Sequence, residues 1–420
     1  MRVVAVMMAL MVCGVATAAT INVPGDYSTI QAAVDAASNG DVILVSPGTY
    51  TSSHPGHVVD TRGKAIAIRS TGGAAVTTIN GEGERLGLAC FSGEVDSTIV
   101  EGFTIKSCSS SDYDYTNNGF ISNWERSGGG ILCHESSPTI SGCDISGNTA
   151  ADGGGIYCSG GSPTISGCTI SGNTAHYGEA GDAFFGGRGG GICCNGGSPT
   201  ITGCTITNNT GDHAGGIYCS YSSPTITDCT ITGNTDDSDE GGEGGGGIYC
   251  DNSSPTISGC DISGNTAADG GGISCSGGRP TISGCTISGN TAHFSGGGIN
   301  GDTFSPTISG CTISNNTANE GGGIYFSESN STLSNTIVCG NVLHQIYGYY
   351  SDEGGNTISA TCEAECDADV AGNDQMVDGE DLYVILSLWN QEVHAINIDG
   401  DGIIGITDLL MLLEAWGPCA

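Results

Sequence analysis

Near the C terminus, Asn397, Asp399, Asp401 and Asp408 fall at positions 1, 3, 5 and 12 of a loop that has Gly402 at position 6 and the Ile403 carbonyl at position 7. Hard oxygen donors at this spacing suit calcium, which is the expected cofactor. An earlier acidic loop carries Asp369, Asn373, Asp378 and Asp381, with one residue too many for the same spacing. Each loop runs into an apolar segment of helical period, DLYVILSLWN and DLLMLLEAWG, so the loop-helix unit is duplicated.

A second set of chemical candidates lies in the middle of the chain. Elimination on a uronate needs carboxylates that hold a cation and a basic Arg or Lys that takes the α-proton, and Arg188 is the candidate base. Hydrolysis of a glycoside needs clustered carboxylates, which Asp152, Asp182 and Asp212 would supply. Trp124, Tyr177, Phe184 and Phe185 offer apolar platforms for a sugar, and Arg126 offers a polar contact. His176 and His293 recur in one register, in NTAHY and NTAHF, and read as stacking or surface residues. The DDSDE run at 236–240 reads as a solvated charge cluster.

These residues are positioned by a repeat, clearest as PTISGCTISGNTAxxGGGIYCxxxS. Its marker prolines, Pro138, Pro163, Pro199, Pro224, Pro255, Pro280 and Pro306, are spaced 25, 36, 25, 31, 25 and 26 residues apart. Each unit holds three short runs of period two bounded by Gly, Asn, Ser or Pro, the pattern of strands and corners. Such short strands bury a face only by stacking coil on coil, and parallel crossovers are right-handed, so a right-handed parallel β-helix of ten or so coils is expected. Ile156, Cys158, Ile165, Cys168 and Ile170 should point inward, and Tyr157, Thr164, Ser166 and Thr169 outward. The asparagines from Asn148 to Asn316 share one register and predict a ladder that satisfies corner backbone groups. The insertions fall at one corner, ahead of GGGI, which makes that corner the candidate functional face.

The segment Ile21–Tyr50, INVPGDYSTIQAAVDAASNGDVILVSPGTY, resembles the N-terminal cap and first coil of the pectin-lyase-like β-helix superfamily. The GGGIYC and ISGNTA units resemble repeats of polymorphic outer-membrane proteins, and the duplicated calcium loops over 362–420 resemble a type I dockerin. In the cap, Ser28 and Gln31 fit a capping box, Ile30, Val34 and Ala37 line one face, and Asn39-Gly40 should end the helix. The resemblance implies an all-β fold, a right-handed parallel β-helix solenoid with an N-terminal capping helix, joined to a small α-helical dockerin-like domain. It also implies a polysaccharide partner and a cohesin-like or cell-surface protein docked by the C-terminal module. The helices lack the Lys or Arg through which dockerins often contact cohesin.

Residues 1–18, with Arg2, a short apolar stretch and Ala16-Thr17-Ala18, read as a secretory signal peptide, which leaves a β-helix over 19–360 and a paired-loop domain over 361–420. The expected location is secreted or cell-surface, with no transmembrane segment in the mature chain. Export would leave 20 of the 21 cysteines in an oxidising compartment, which suggests disulfides. Most fall in two inward columns ten residues apart, where bonds between columns and packed thiols are equally open readings. Cys362 or Cys366 would clip to Cys419. A net charge of −36 with nine Lys plus Arg argues against nucleic acid. Two functions follow: a polysaccharide-binding β-helix with lyase or hydrolase activity as its catalytic form, and a non-catalytic surface or adhesive protein.

Overall fold

The structure is a computed structural model that describes residues 18–110, 122–176, 186–238, 244–302, 305–327 and 330–362, with the pairs 376–377 and 417–418. The chain divides into two compact units, 1–360 and 361–420. In the second, Met376 and Val377 pair antiparallel with Pro418 and Gly417. The expected calcium loops and their helices lie outside the described residues.

The first unit is a parallel β-helix built from four sheets of stacked coils. In one coil, Ile156–Ser159 belongs to sheet I, Thr164–Ser166 to sheet II, Thr169–Ser171 to sheet III and Thr174–Ala175 to sheet IV. Among the described residues these sheets hold eleven, thirteen, twelve and six strands. The thirteen strands exceed the ten or so coils expected, because non-repeating sequence before Gly128 also winds into coils. Sheet IV is a further departure, since each unit was expected to hold three short strands. Register survives the insertions: Ile165 pairs with Ile140 on one side and with Ile201 on the other, although the two intervals differ by eleven residues. The extra chain is absorbed at the corner, so the hydrogen-bonded ladders continue unbroken.

Alternation sends Ile156, Cys158, Ile165, Cys168 and Ile170 into the core, each at most 1% exposed. Tyr157 departs from expectation: it points out of the coil yet is buried at 3% exposure, in a second apolar cluster with Leu132, Cys193 and Tyr218 on the outer face of sheet I.

The asparagine ladder is present. Asn173 Nδ2 donates to Asn209 Oδ1 at 3.0 Å, Asn209 Nδ2 to Asn234 Oδ1 at 3.0 Å, and the chain of amides runs on to Asn341 and Gln345. Each amide also bonds backbone, as Asn209 Nδ2 does to the Ile170 carbonyl at 2.9 Å, so buried corner groups are satisfied. The glycine runs leave room for this column. A Cβ on Gly155 would lie 2.6 Å from the Gly191 carbonyl oxygen and 3.1 Å from Asn173 Nδ2.

The interior cysteines are free thiols, from Cys90 to Cys311. Those of one column donate to the carbonyl two residues back, as Cys168 Sγ does to Ser166 at 3.4 Å, which settles them as packed thiols and not cross-links. Among the described residues no group of His, Cys, Asp and Glu is arranged to hold a metal ion. Cys339 and Cys362 are each disulfide-bonded; Cys366 and Cys419 lie outside the described residues.

The capping helix covers Ile30–Ala36, with Ile30, Ala33 and Val34 buried. Its cap is Thr29, whose Oγ1 accepts from Ala32 N at 3.1 Å, and not Ser28. Gln31 is drawn away from the expected capping box because its amide exchanges two bonds with the Asp60 backbone, at 2.7 and 3.1 Å. The helix also stops earlier than Asn39-Gly40, at a cap on Ala37. Asn39 Oδ1 instead accepts from Ala65 N at 3.0 Å, tying the cap to the next coil. No helix among the described residues is long and apolar enough to cross a membrane.

Candidate functional site

The corner ahead of sheet I collects the period-breaking loops, and the outer face of sheet I lies beside it. In sheet register this face presents Leu132, Tyr157, Cys193, Tyr218 and Tyr249. It continues through Ser274, Asn300, Tyr325 and Tyr347. The middle residue of each Ile-Tyr-Cys strand therefore forms a column at steps of about 4.8 Å. Sequence reasoning missed this column, although strand alternation in IYC already placed the tyrosine outward.

Asp152 and Arg188 are brought together from adjacent coils by a parallel bridge at the corner. Arg188 Nε donates to Asp152 Oδ1 at 3.0 Å and Nη2 to Oδ2 at 2.8 Å. The guanidinium sits 5.7 Å from the centre of the Tyr218 ring. Burial works against the guanidinium's charge, but the bonds and charge of Asp152 outweigh it and push Arg188 above its ordinary value. A group so held is a poor proton acceptor.

Asp212 is nearly buried and lies 3.2 Å from Nδ1 of the exposed His176. Asp236, one coil on, is 7% exposed, and its Oδ2 is buried with no hydrogen-bond partner. Burial pushes its carboxyl up to about 6; bonds from Ser238 oppose this and the charge of Asp212 adds to it. The reading of 236–240 as a solvated run thus fails at its first residue, because Thr235–Asp236 is a strand of sheet IV that carries this carboxylate inward.

Trp124 is not an open platform: its ring stacks on His134 at 4.2 Å and packs against the outer cluster on sheet I. Arg126 is half-buried beside it, and its carbonyl accepts from Ala151 N at 3.0 Å. Asp182, Tyr177, Phe184 and Phe185 lie outside the described residues, as do the expected calcium ligands Asn397, Asp399, Asp401, Ile403, Asp408, Asp369, Asn373, Asp378 and Asp381.

Further along the same face a cavity of about 140 Å³ opens, lined by Tyr249, Asp269, Ser274, Ser295, Asn300 and Tyr325. It adjoins another of about 290 Å³, lined by Phe294, Asn319 and Glu320 together with Ser295 and Tyr325.

The model of the right-handed beta helix region matches residues 58–215, 95–278 and 190–364, more than half of the chain. The chain belongs to the right-handed β-helix family. Among solved structures, this β-helix is similar to a pectin methylesterase in complex with a hexasaccharide, at 13% identity over 59% of this chain and 78% of the other, with a TM-score of 0.34. It is similar to the pectate lyase Pel9A at 14% identity over 88% and 87%, with a TM-score of 0.32. It is also similar to the Dettilon tailspike protein at 12% identity over 78% of this chain and 63% of that one, with a TM-score of 0.39. No curated protein matches the sequence at a significant level.

Proposed function

We propose that this β-helix is an exported polysaccharide-binding protein whose binding face is the outer side of sheet I and its adjoining corner. One observation carries the reading. The face that holds a column of tyrosines in register is the face where both cavities open and the repeat is interrupted. Tyr157, Tyr218 and Tyr249 are packed in the outer cluster, while Tyr325 and Tyr347 reach solvent, where aromatic rings stack on the C–H faces of sugars and neighbouring Ser, Asn and Asp bond hydroxyls.

Binding is favoured over cleavage by the geometry of the expected catalytic residues. Arg188 is locked on Asp152 and stays protonated, so elimination would lack its base there. Asp152 is in turn occupied by Arg188 and buried, which removes it from a hydrolytic carboxylate pair.

The C-terminal module would attach the protein through calcium. Asn397, Asp399, Asp401, the Ile403 carbonyl and Asp408 would hold one ion, and Asp369, Asn373, Asp378 and Asp381 a second. This oxygen-only donor set fits a hard cation, and a bound ion would fold the loop for docking to a cohesin-like or cell-surface partner. Residues 1–18 would direct export.

Affinity electrophoresis of the purified protein through gels containing uronate-rich or neutral glycans, with calcium, tests the binding reading. Retardation without reducing ends or unsaturated products is expected, and free migration through every glycan would overturn it. Calorimetry with Ca²⁺ tests the module, with heat of binding expected and its loss in Asp399→Ala.

A further inference from the structure

The tyrosine column on sheet I is broken at Cys193 and again, over two successive coils, at Ser274 and Asn300. Tyr218 and Tyr249 pack with ring centres 5.5 Å apart, and Tyr325 and Tyr347 stack at 5.3 Å with an interplanar angle of 6°. Between the pairs stand Ser274 and Asn300. Three coil steps separate Tyr249 from Tyr325, roughly 14 Å at the spacing of parallel strands. Two short side chains where rings would continue leave the cavity of about 140 Å³, walled at each end by a tyrosine.

The floor of this gap is polar and incomplete. Asn300 is 6% exposed, and its Oδ1 is buried with no hydrogen-bond partner. Ser274 beside it is 3% exposed. Asp269 closes one side, with its Oδ1 accepting from the backbone N–H of Ser295 at 2.9 Å and from the Ser295 hydroxyl. A buried acceptor without a donor is costly, and a ligand hydroxyl seated on Asn300 would relieve that cost.

The charge of the surroundings selects the ligand. Asp269 lines this cavity and Glu320 the adjoining one, while neither is lined by a Lys or Arg. No Lys or Arg occurs in the sequence after Arg279. A uronate carboxylate placed here would face like charges with no counter-ion, whereas an uncharged ring meets no such penalty. Phe294, 51% exposed at the rim of the adjoining cavity, offers a surface for a second ring.

We propose that the break in the tyrosine column at Ser274 and Asn300 is a subsite for a neutral, hydroxyl-rich sugar, with Tyr249 and Tyr325 as its walls and Asn300 Oδ1 accepting a sugar hydroxyl. The proposal rests on the reading of the chain as a polysaccharide binder and narrows it to uncharged glycans.

Calorimetry on the full chain, with cellohexaose, xylohexaose, mannohexaose and laminarihexaose set against hexagalacturonate, tests this. At least one neutral hexaose should bind and hexagalacturonate should not. Asn300→Leu, which replaces an unpartnered amide by an apolar group of similar size, should weaken the neutral hexaose about tenfold or more without lowering the melting temperature. Tyr325→Ala should weaken it as well. Binding of hexagalacturonate alone, or neutral binding that both variants leave intact, would overturn the subsite while leaving polysaccharide binding elsewhere on the β-helix in force. Failure of every hexaose would overturn the subsite and the functional reading together. Binding of Ca²⁺ that Asn300→Leu abolishes, with no sugar bound, would assign the cavity to a cation and overturn the proposal.

Discussion

Arg188 grips Asp152 at two points, Nε to Oδ1 at 3.0 Å and Nη2 to Oδ2 at 2.8 Å, and adds a third bond from its own backbone N–H to Oδ1 at 3.1 Å. The two residues are 36 apart in sequence and adjacent in the stack. The pair pins the inserted loop's return strand to the preceding coil, with the Asp152 side chain 3% exposed.

Removing one partner leaves a buried charge without its counter-ion. Arg188→Met should destabilise the β-helix by about 3 kcal/mol, and adding Asp152→Leu should recover most of that loss, because the bare carboxylate goes with it. Urea melts of the single and double variants check this. A double variant as weak as the single one would show that packing against Tyr218 matters more than charge.

The asparagine column makes a similar prediction at a neutral site. Asn209 Oδ1 accepts from the backbone N–H and the amide of Asn173, and its Nδ2 reaches the Ile170 carbonyl and the next amide. Asn209→Ala should cost about 3 kcal/mol, since several buried partners lose bonds at once. Asn209→Asp should cost more, because the Nδ2 donor is lost and a charge is buried. Denaturant midpoints measure both.

The buried thiols of the β-helix should be unreactive in the native protein. A thiol reagent such as Ellman's should leave the cysteines from Cys90 to Cys311 untouched until denaturant is added, because each is buried and free. Rapid native labelling would contradict the packing of the coils.

Two buried groups pull stability in opposite directions with pH. The Asp236 carboxyl is pushed up to about 6 from 3.8, so between those values the folded state binds more protons and the contribution of Asp236 falls as pH rises. His57 is pushed down to about 4 from 6.5, chiefly by burial and secondarily by His54, so the unfolded state binds more protons in that window and its contribution rises with pH. Asp236→Asn should uncover the His57 slope. Its melting temperature should exceed that of the wild type at pH 7, by on the order of 2 kcal/mol in stability, and match it near pH 4. Parallel profiles of the two proteins would refute the assignment.

Much of the fold was legible because the core is periodic. Ile165, Cys168, Ile170 and Asn173 recur at fixed offsets, and a position that recurs in every coil meets its own copy above and below. The helix cap was legible in outline, since Ile30, Val34 and Ala37 do face the core, but not in detail. Whether Ser28 or Thr29 caps depends on Gln31, and Gln31 is claimed by the Asp60 backbone, 29 residues away. The site was the least legible part. Arg188 read as a base and Trp124 as a platform, because nothing local says that Asp152 meets the first or that His134 covers the second.

The sequence by itself determined the stack: a 25-residue period, strand alternation and invariant corner residues leave few other ways for such short strands to bury a face. Tertiary structure decided what happens on the outside of that stack. There, Tyr157 and Tyr249 occupy the same repeat position and are both packed in the outer cluster, yet the second also borders a cavity. The difference arises from what the next coils carry at that position, Cys193 and Tyr218 in one direction, Ser274 and Asn300 in the other. A repeat fixes which residues are neighbours; the volumes and charges of those particular neighbours, summed across coils, fix whether a surface closes on itself or stays open to a ligand.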